Sequence, residues 1–298
     1  MARNGDGAIG GFPIKSLRAP LSDEPFLTAA GDMRSVYLPV PRNAEIIPVR
    51  DFAGTVSRIE DLTPTIKGIW ITLDEPMHFQ AGQYLNISIG DLGFSRPFSL
   101  ANPPSTNHEI ELNVRIVAGG AGTAWLHHEL KVGDRATVAG PYGRFFVRKS
   151  VQSASLFMAG GSGLSSPRSM ILDLLESGSR EPITLVYGQR VKAELYYNDE
   201  FLALSQQYSN FSYVPALSGE PEGSDWPGFR GFVHDAAKAH FANDFRGHKA
   251  YLCGPPLMID ACITTLMQGR LFERDIYQEK FLSAADAQQV RSPLFRNI

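Results

Sequence analysis

Residues 154–167 of this chain, ASLFMAGGSGLSSP, decide the fold of its second half. Residues 154–159 are a continuous apolar run, which is typical of a strand that a parallel sheet buries on both faces. A glycine-rich turn follows, and Pro167 stands where a helix would begin. A buried strand, a glycine turn and a helix together make the local structure that a phosphate-binding loop requires. The loop departs from the common GxGxxG pattern, because Ser166 occupies the place of the third glycine.

Strands alternate with helices along the rest of the chain. We predict strands at residues 183–187, 211–214 and 249–253. We also predict a helix that ends near Phe201 and two helices that span residues 233–241 and 256–271. Such alternation is typical of a parallel, doubly wound sheet with helices on its faces. We therefore assign residues 150–298 to an α/β domain.

Residues 51–149 have the pattern of antiparallel β structure instead. Apolar and polar residues alternate strictly over residues 109–117, so that Glu111 and Asn113 share the polar face. Strict alternation of this length predicts a half-buried strand. A second alternating segment covers residues 82–89, and turns rich in glycine and proline separate the segments. Several short strands in about 100 residues favour an antiparallel barrel or sandwich.

Length and composition indicate a globular chain with room for two domains. It has 298 residues, 43% hydrophobic and 20% charged, and a net charge of −3. This charge indicates neither nucleic-acid binding nor a polybasic membrane surface. No apolar stretch approaches the roughly 20 residues of a membrane-spanning helix, and the first residues, MARNGDGAIGG, lack the apolar core of a secretory signal. We expect a cytoplasmic protein without membrane or nucleic-acid partners.

The N-terminal 50 residues have a different texture from the rest. They contain six prolines and no sustained periodicity, which predicts an extended arm or linker over residues 1–50. Composition and periodicity thus divide the chain into three segments, 1–50, 51–149 and 150–298.

The cysteine count limits the metal chemistry. The chain has two cysteines, Cys253 and Cys262, whereas an iron–sulfur cluster needs about four thiolates. The neighbouring His127 and His128 point to different faces of any helix, and the HExxH spacing of a zinc site is absent. We predict no metal site, and the low cysteine count fits a reducing compartment.

Four short motifs have the composition of binding sites. They are Arg96-Pro97-Phe98-Ser99, Arg115 with the segment GGAGT at 119–123, the loop at 159–167, and Cys253-Gly254-Pro255. The glycines of GGAGT can turn backbone N–H groups toward an anion, and Thr123 can cap the following helix. Cys253 ends a predicted buried strand, where ligands of open α/β sheets bind. Each motif alone also fits a structural role, as a strand end, a flexible turn or a buried small residue.

The order of these motifs resembles the ferredoxin–NADP reductase superfamily over residues 51–298. Segments VYGQR at 186–190, ELYY at 194–197 and FERDIY at 272–277 are similar to the reductase components of bacterial multicomponent phenol and aromatic monooxygenases, relatives of the soluble methane monooxygenase reductase. The resemblance implies an antiparallel Greek-key FAD-binding barrel at 51–149, followed by a doubly wound, parallel-sheet NAD(P)H-binding domain at 150–298.

The resemblance also implies roles for individual residues. Arg96 would pair with the FAD pyrophosphate, Phe98 would stack on the flavin, and Ser99 would contact flavin N5, with Pro97 between them. Ser99 and Cys253 are the expected catalytic residues, and Phe281 would cover the far face of the flavin. The remaining expected cofactor-binding residues are Arg115, Gly122 and Thr123 for FAD, and Gly161, Gly163, Pro167, Gly188, Arg190, Gly254 and Pro255 for the nicotinamide nucleotide.

The function implied by the resemblance is electron transfer from NADH through FAD to a one-electron protein acceptor, either a ferredoxin or an oxygenase hydroxylase component. Arg190 and Lys192 leave NADPH open as the donor, because they can neutralise a 2′-phosphate. Such reductases usually contain a fused [2Fe–2S] domain, whose cysteine pattern is absent here, so we expect no [2Fe–2S] cluster in this chain. The ferredoxin would then be separate or its module lost.

Three alternatives remain open from the sequence. They are a stand-alone ferredoxin or flavin reductase, a reductase remnant that no longer delivers electrons to an oxygenase, and a flavin-binding sensor without enzymatic activity. The expected oligomeric state is a monomer.

Overall fold

The structure is a computed structural model, and it describes residues 47–149 and 152–281. The arm predicted at residues 1–50 lies outside the described residues except for its last four positions. The described residues form two six-stranded sheets, one antiparallel and one parallel. This confirms the predicted fold class. The domain boundaries at residues 50 and 149 stay a prediction.

The first sheet is the predicted antiparallel barrel. Its strands are β1 (Arg50–Thr63), β2 (Ile66–Leu73), β3 (Tyr84–Ser88), β4 (Ser95–Ser99), β5 (Glu109–Arg115) and β6 (Arg135–Tyr142). They are ordered β4-β3-β6-β1-β2-β5, and a bridge between Leu100 and Leu112 connects the two edges. One short helix, α1 (Ala121–His128), follows β5. The apolar faces of the strands fill the barrel interior, with Ile69, Ile71, Leu85, Ile87 and Leu112 fully buried.

The second sheet is parallel throughout. Its strands are β7 (Ala154–Gly160), β8 (Ile183–Gln189), β9 (Phe211–Leu217), β10 (Phe229–Arg230), β11 (His248–Gly254) and β12 (Ile276–Lys280). Four helices accompany them: α2 (Ser165–Glu176), α3 (Asn198–Gln207), α4 (Val233–His240) and α5 (Pro256–Gln268). Alternate residues of β7 face opposite cores. Phe157 packs with the apolar residues of α2 and α3, and Leu156 packs with those of α4 and α5.

The strand order of the parallel sheet, β10-β9-β8-β7-β11-β12, places a topological switch point between β7 and β11. From β7 the chain first adds strands on one side and later adds β11 and β12 on the other. Ligands of open α/β sheets bind outside the carboxyl ends of the strands at such a point. Residues 160–163 and 253–255 both lie there, as the sequence predicts.

Two local predictions need correction. Helix α2 begins at Ser165, so Pro167 is its third residue and does not open it; a proline is tolerated there because the first turn needs no N–H donors. Strand β5 has the predicted alternation, but its polar face is buried too, with Glu111 and Asn113 at 5% and 4% exposure. Residues from α2 and the start of α3 cover that face, which no local pattern can reveal.

None of the helices within residues 47–149 and 152–281 has the length and apolar character that crossing a membrane would require.

Candidate functional site

Four polar side chains from distant parts of the chain meet beside the switch point. Ser99 ends β4 of the barrel, Ser166 lies in the first turn of α2, and Cys253 and Glu279 lie in the adjacent strands β11 and β12. Cys253 Sγ is 3.9 Å from Glu279 Oε2, and Ser166 Oγ is 3.2 Å from the same oxygen. All four residues are buried. The structure therefore brings together the two expected catalytic residues, Ser99 and Cys253.

Glu279 is the acid of this cluster. Burial raises the pKa of its carboxyl to about 7, although the hydroxyls of Ser166 and Ser99 and the thiol of Cys253 lower it in part. A carboxyl whose pKa lies near 7 exchanges its proton readily at neutral pH, which is the property of a general acid or base. Glu279 can therefore hold or release a proton beside Ser99.

The Cys253 thiol has the opposite character. Burial and the neighbouring Glu279 carboxyl raise its pKa well above the usual value, so the thiol stays protonated and is a poor nucleophile. Both cysteines are free and buried. Cys262 lies about two turns into α5 and packs on the other face of the sheet, which leaves Cys253 as a neutral, shape-determining side chain at the site.

Two phenylalanines flank the cluster. Phe98 precedes Ser99 in β4 and is half-buried against the barrel core. Phe281 follows β12, and its backbone N–H donates to the Gly254 carbonyl at 3.0 Å. Both rings retain exposed surface, so each can stack on a planar ligand.

The glycine loop after β7 leaves no room for a side chain at Gly160 or Gly163. A Cβ on Gly163 would lie 2.5 Å from the Cys253 carbonyl oxygen, and one on Gly160 would lie 2.3 Å from Met258 Sδ. Gly161 has φ +60° and Gly254 has φ +150°, conformations that favour glycine. The ends of β7 and β11 are thus packed backbone to backbone, and α2 begins directly beyond them with no side-chain cap. The 3-10 turn Gly161–Leu164 leads into α2, and the Ser165 N–H donates to the Ser162 carbonyl. The N-terminal end of this turn suits a pyrophosphate.

Three further predicted residues occupy different surroundings. Gly188 packs closely against α4, since a Cβ there would lie 2.1 Å from Val233 Cγ2; its need for glycine is explained by helix packing. Pro167 is buried within α2. Pro255 is exposed and forms the N-cap of α5, directly after Gly254.

A second anion-binding arrangement lies at the start of α1. Arg96 is exposed, and its Cγ would be 3.0 Å from a Cβ on Gly122. The guanidinium stacks on Phe94, and among the described residues it donates only to the neighbouring Ser95 carbonyl. Thr123 is not the helix cap that the sequence predicts, because Gly120 is the N-cap; the Thr123 hydroxyl instead donates back to the Gly120 carbonyl and accepts the Val117 N–H. An arginine beside a helix N-terminus is suited to a phosphate.

Arg115 lies beside the glycine loop that follows β7. Its Nη2 is 3.6 Å from Glu194 Oε2, and a Cβ on Gly161 would lie 3.7 Å from the same nitrogen. Its Nε is buried and has no hydrogen-bond partner among the described residues. Arg115 thus borders Gly161, whereas Arg96 borders Gly122.

Arg190 and Lys192 lie beyond the end of β8. Arg190 is exposed, while the Lys192 ammonium is 3.1 Å from Asp225 Oδ1 and its backbone N–H donates to Glu220 Oε2 at 2.7 Å. Lys192 is therefore already paired with carboxylates.

Sequence reasoning missed Glu279 and Ser166 as site residues. Glu279 stands two positions before Phe281, but a single acid in a short strand has no recognisable pattern. Ser166 was noted only as a substitute for glycine. His127, which the sequence excluded as a metal ligand, has its Nε2 2.8 Å from the Val114 carbonyl oxygen.

The residues present fit FAD and a nicotinamide nucleotide. Ser99 Oγ is buried and lacks a hydrogen-bond partner of good geometry among the described residues, which is expected of a group that contacts a ligand atom. Arg96 and the start of α1 suit one pyrophosphate, and the loop at Gly161–Leu164 suits another. Each sheet thus has a site that suits one dinucleotide.

Comparison with known proteins agrees with this assignment. Residues 54–147 match the oxidoreductase FAD-binding domain, and residues 157–263 match the oxidoreductase NAD-binding domain. The reductase component DmpP of phenol 2-monooxygenase from Pseudomonas sp. (strain CF600) is 59% identical over 253 residues, which cover 84% of this chain and 72% of that protein. The phenol hydroxylase P5 protein of Acinetobacter pittii (strain PHEA-2) is 55% identical, over 84% and 71% respectively.

A solved structure supports the same fold. The ferredoxin reductase in carbazole 1,9a-dioxygenase superposes with a TM-score of 0.72 at 26% sequence identity, over 80% of this chain and 71% of that one. The fold described above is therefore found over most of its length in a ferredoxin reductase.

Proposed function

The chain belongs to the family of FAD- and NAD-binding reductase components that includes those of the phenol hydroxylases, and from this premise we propose that it oxidises NADH and passes the electrons singly to a separate protein acceptor. The observation that supports this proposal most directly is the meeting of Ser99, Cys253 and Glu279 at the switch point. It joins the end of a barrel strand to the carboxyl ends of two parallel strands.

The two cofactors would supply the transfer of a hydride and the release of its two electrons one at a time. No side chain can provide this chemistry. The side chains provide position and protons. Ser99 would donate its hydroxyl to the flavin ring, Cys253 would fill the space beside the nicotinamide, and Glu279 would hold a proton within reach of both. Phe98 and Phe281 would exclude water from the two faces of the flavin ring.

We propose NADH as the preferred donor. Glu220 and Asp225 surround Lys192, where the adenosine ribose would lie if the nucleotide extends along the ends of β8 and β9. Carboxylates repel a 2′-phosphate and can accept hydrogen bonds from a ribose diol. The exposed Arg190 side chain is then available for other contacts.

We also propose FAD as the redox group of these 298 residues. Two cysteines are too few for a [2Fe–2S] cluster within this sequence. The one-electron acceptor would accordingly be an iron–sulfur protein or an oxygenase component outside it, as the names of the relatives suggest for their own systems. A monomer is sufficient for this activity.

The acceptor experiment tests this function. Purified, FAD-loaded protein is mixed with NADH and ferricyanide, and separately with NADH and a [2Fe–2S] ferredoxin. Ferricyanide should be reduced rapidly with two equivalents consumed for each NADH, because each NADH delivers two electrons. Absence of NADH-driven reduction of both acceptors would contradict the proposal.

A further inference from the structure

A buried arginine connects the two sheets close to the proposed site. Arg168 lies in the first turn of α2 and is only 9% exposed. Its Nη1 donates to the Ala101 carbonyl at 2.8 Å and to Glu111 Oε2 at 2.9 Å, and both acceptors belong to the barrel. Its Nε and Nη2 donate to the two carboxylate oxygens of Glu200 in α3. One guanidinium therefore contacts both halves of the molecule.

The barrel side of this contact has further hydrogen bonds. The other oxygen of Glu111 accepts the hydroxyl of Tyr197, which also lies 3.2 Å from Asn113 Oδ1. The Tyr197 ring lies under the guanidinium, 4.1 Å from Arg168 Cζ. Tyr197 has φ +57°, a conformation that costs a non-glycine residue energy and persists where the surroundings require it. We call Arg168, Glu111 and Tyr197 the Arg168 cluster.

The positions of these residues along the chain give the cluster its significance. Ala101 follows Ser99 by two residues, which span at most about 7 Å of extended chain. Arg168 follows Ser166 by two residues, less than one turn of α2, and Ser169 Oγ donates to the Asn102 carbonyl at 2.7 Å beside it. The same few bonds thus connect the strand end that holds Ser99 to the helix that begins at the glycine loop.

A gain in the stability of the fold does not explain why Arg168 and its carboxylate partners are buried. An ion pair taken out of water recovers little net energy, because desolvation offsets the attraction between the charges. A buried guanidinium with four hydrogen bonds instead provides a fixed direction, since its planar donors fit one arrangement of partners.

Resting on the function proposed above, we propose that Arg168 is a positioning residue for hydride transfer, which sets the separation between the flavin-binding strand end and the nucleotide-binding loop. A misplacement of about 1 Å between two reacting groups can lower a rate by roughly 100-fold. Loss of the cluster should therefore slow hydride transfer without removing either cofactor.

The test compares variants that remove different hydrogen bonds of Arg168. Arg168→Met removes all donors at similar volume, and Arg168→Lys retains the charge with fewer donors. Glu200→Gln weakens only the bond within the α/β half and is the matched control. Each FAD-loaded protein is mixed anaerobically with a series of NADH concentrations, and flavin bleaching gives the limiting rate and the dissociation constant for NADH. The long-wavelength absorbance of the stacked nicotinamide–flavin pair is recorded in the same traces.

We expect the limiting rate of Arg168→Met to fall by about 10- to 100-fold, with NADH affinity within about threefold and a weaker long-wavelength band. Arg168→Lys should be intermediate and Glu200→Gln within about twofold of the parent. An unchanged rate in Arg168→Met, or an equal loss in Glu200→Gln, would overturn the inference. If Arg168→Met does not retain FAD, Arg168→Lys decides by the same criteria. A parent protein that NADH does not bleach would instead refute the proposed function, and the inference with it.

Discussion

Cys253 and Glu279 are paired directly across the parallel strands β11 and β12, with Sγ and Oε2 3.9 Å apart and both side chains buried. A neutral thiol and a carboxyl with a pKa near 7 thus lie side by side at the end of the sheet. Ser99 reaches the same place from the barrel, so the site exists only where the two sheets meet.

Substitution of Cys253 tests its proposed contact with the nicotinamide. Cys253→Ala should slow flavin reduction by roughly tenfold, the effect of about 1.4 kcal/mol on the barrier, because the nicotinamide loses a neighbour that holds it in place. FAD should remain bound. The matched control is Cys262→Ala, an equally buried cysteine on the other face of the sheet. Equal rates in the parent and Cys253→Ala would reduce Cys253 to a packing role.

Substitution of Arg96 tests the FAD site. Arg96→Ala should weaken FAD binding by about 1.5–3 kcal/mol, the range for a hydrogen bond to a charged group. Flavin retention on dilution, followed by fluorescence, measures this. Arg135→Ala is the control, because Arg135 is an exposed arginine of the same barrel that pairs with Asp74. If both variants retain FAD equally, Arg96 does not bind the pyrophosphate.

The raised pKa of Glu279 predicts a pH dependence of stability. Above its unfolded pKa near 4.5 the unfolded chain loses this proton, while the folded protein keeps it until about pH 7. The folded state therefore binds more protons, and this group lowers the free energy of unfolding as pH rises through that window. The only other titratable group in contact with it among the described residues, the Cys253 thiol, stays protonated throughout.

Glu279→Gln should abolish that dependence. The variant should equal the parent at pH 4 and exceed it at pH 8 by roughly 2–3 kcal/mol, since a tenfold change in proton affinity is worth about 1.4 kcal/mol. Guanidinium chloride unfolding at a fixed excess of FAD measures the difference. A constant difference between the two proteins from pH 4 to pH 8 would show that Glu279 titrates normally.

The carboxylates around Lys192 predict nucleotide preference. The parent should have a kcat/KM for NADH at least about tenfold above that for NADPH, because like charges oppose the 2′-phosphate. The double variant Glu220→Gln, Asp225→Asn should narrow this ratio, while Glu60→Gln on the barrel should not. A preference for NADPH in the parent would reassign Arg190 and Lys192 as phosphate ligands.

The fold could be predicted from sequence because its signals are local. Alternation over residues 109–117 and the apolar run before the glycine loop each report their own strand, and the structure confirms both. The burial of Glu111 was not predictable in this way, because the residues that cover it, Arg168 and Tyr197, come more than 50 positions later.

The site was only partly predictable for the same reason. Ser99 and Cys253 lie in recognisable motifs at strand ends, and the structure brings them together. Glu279 acquires its properties from burial among three side chains of other segments. Thr123 was assigned as a cap by its residue type, but the extended backbone of Gly120 makes that residue the cap instead.

The most direct test of this account is the anaerobic reaction of the FAD-loaded protein with NADH. Rapid loss of the oxidised flavin absorbance, with one NADH consumed for each FAD and FAD alone recovered on extraction, is the predicted result. Extraction of FMN in place of FAD would contradict the pyrophosphate site at Arg96, and a flavin that NADH does not bleach would contradict the assignment of Ser99, Cys253 and Glu279 to a hydride-transfer site.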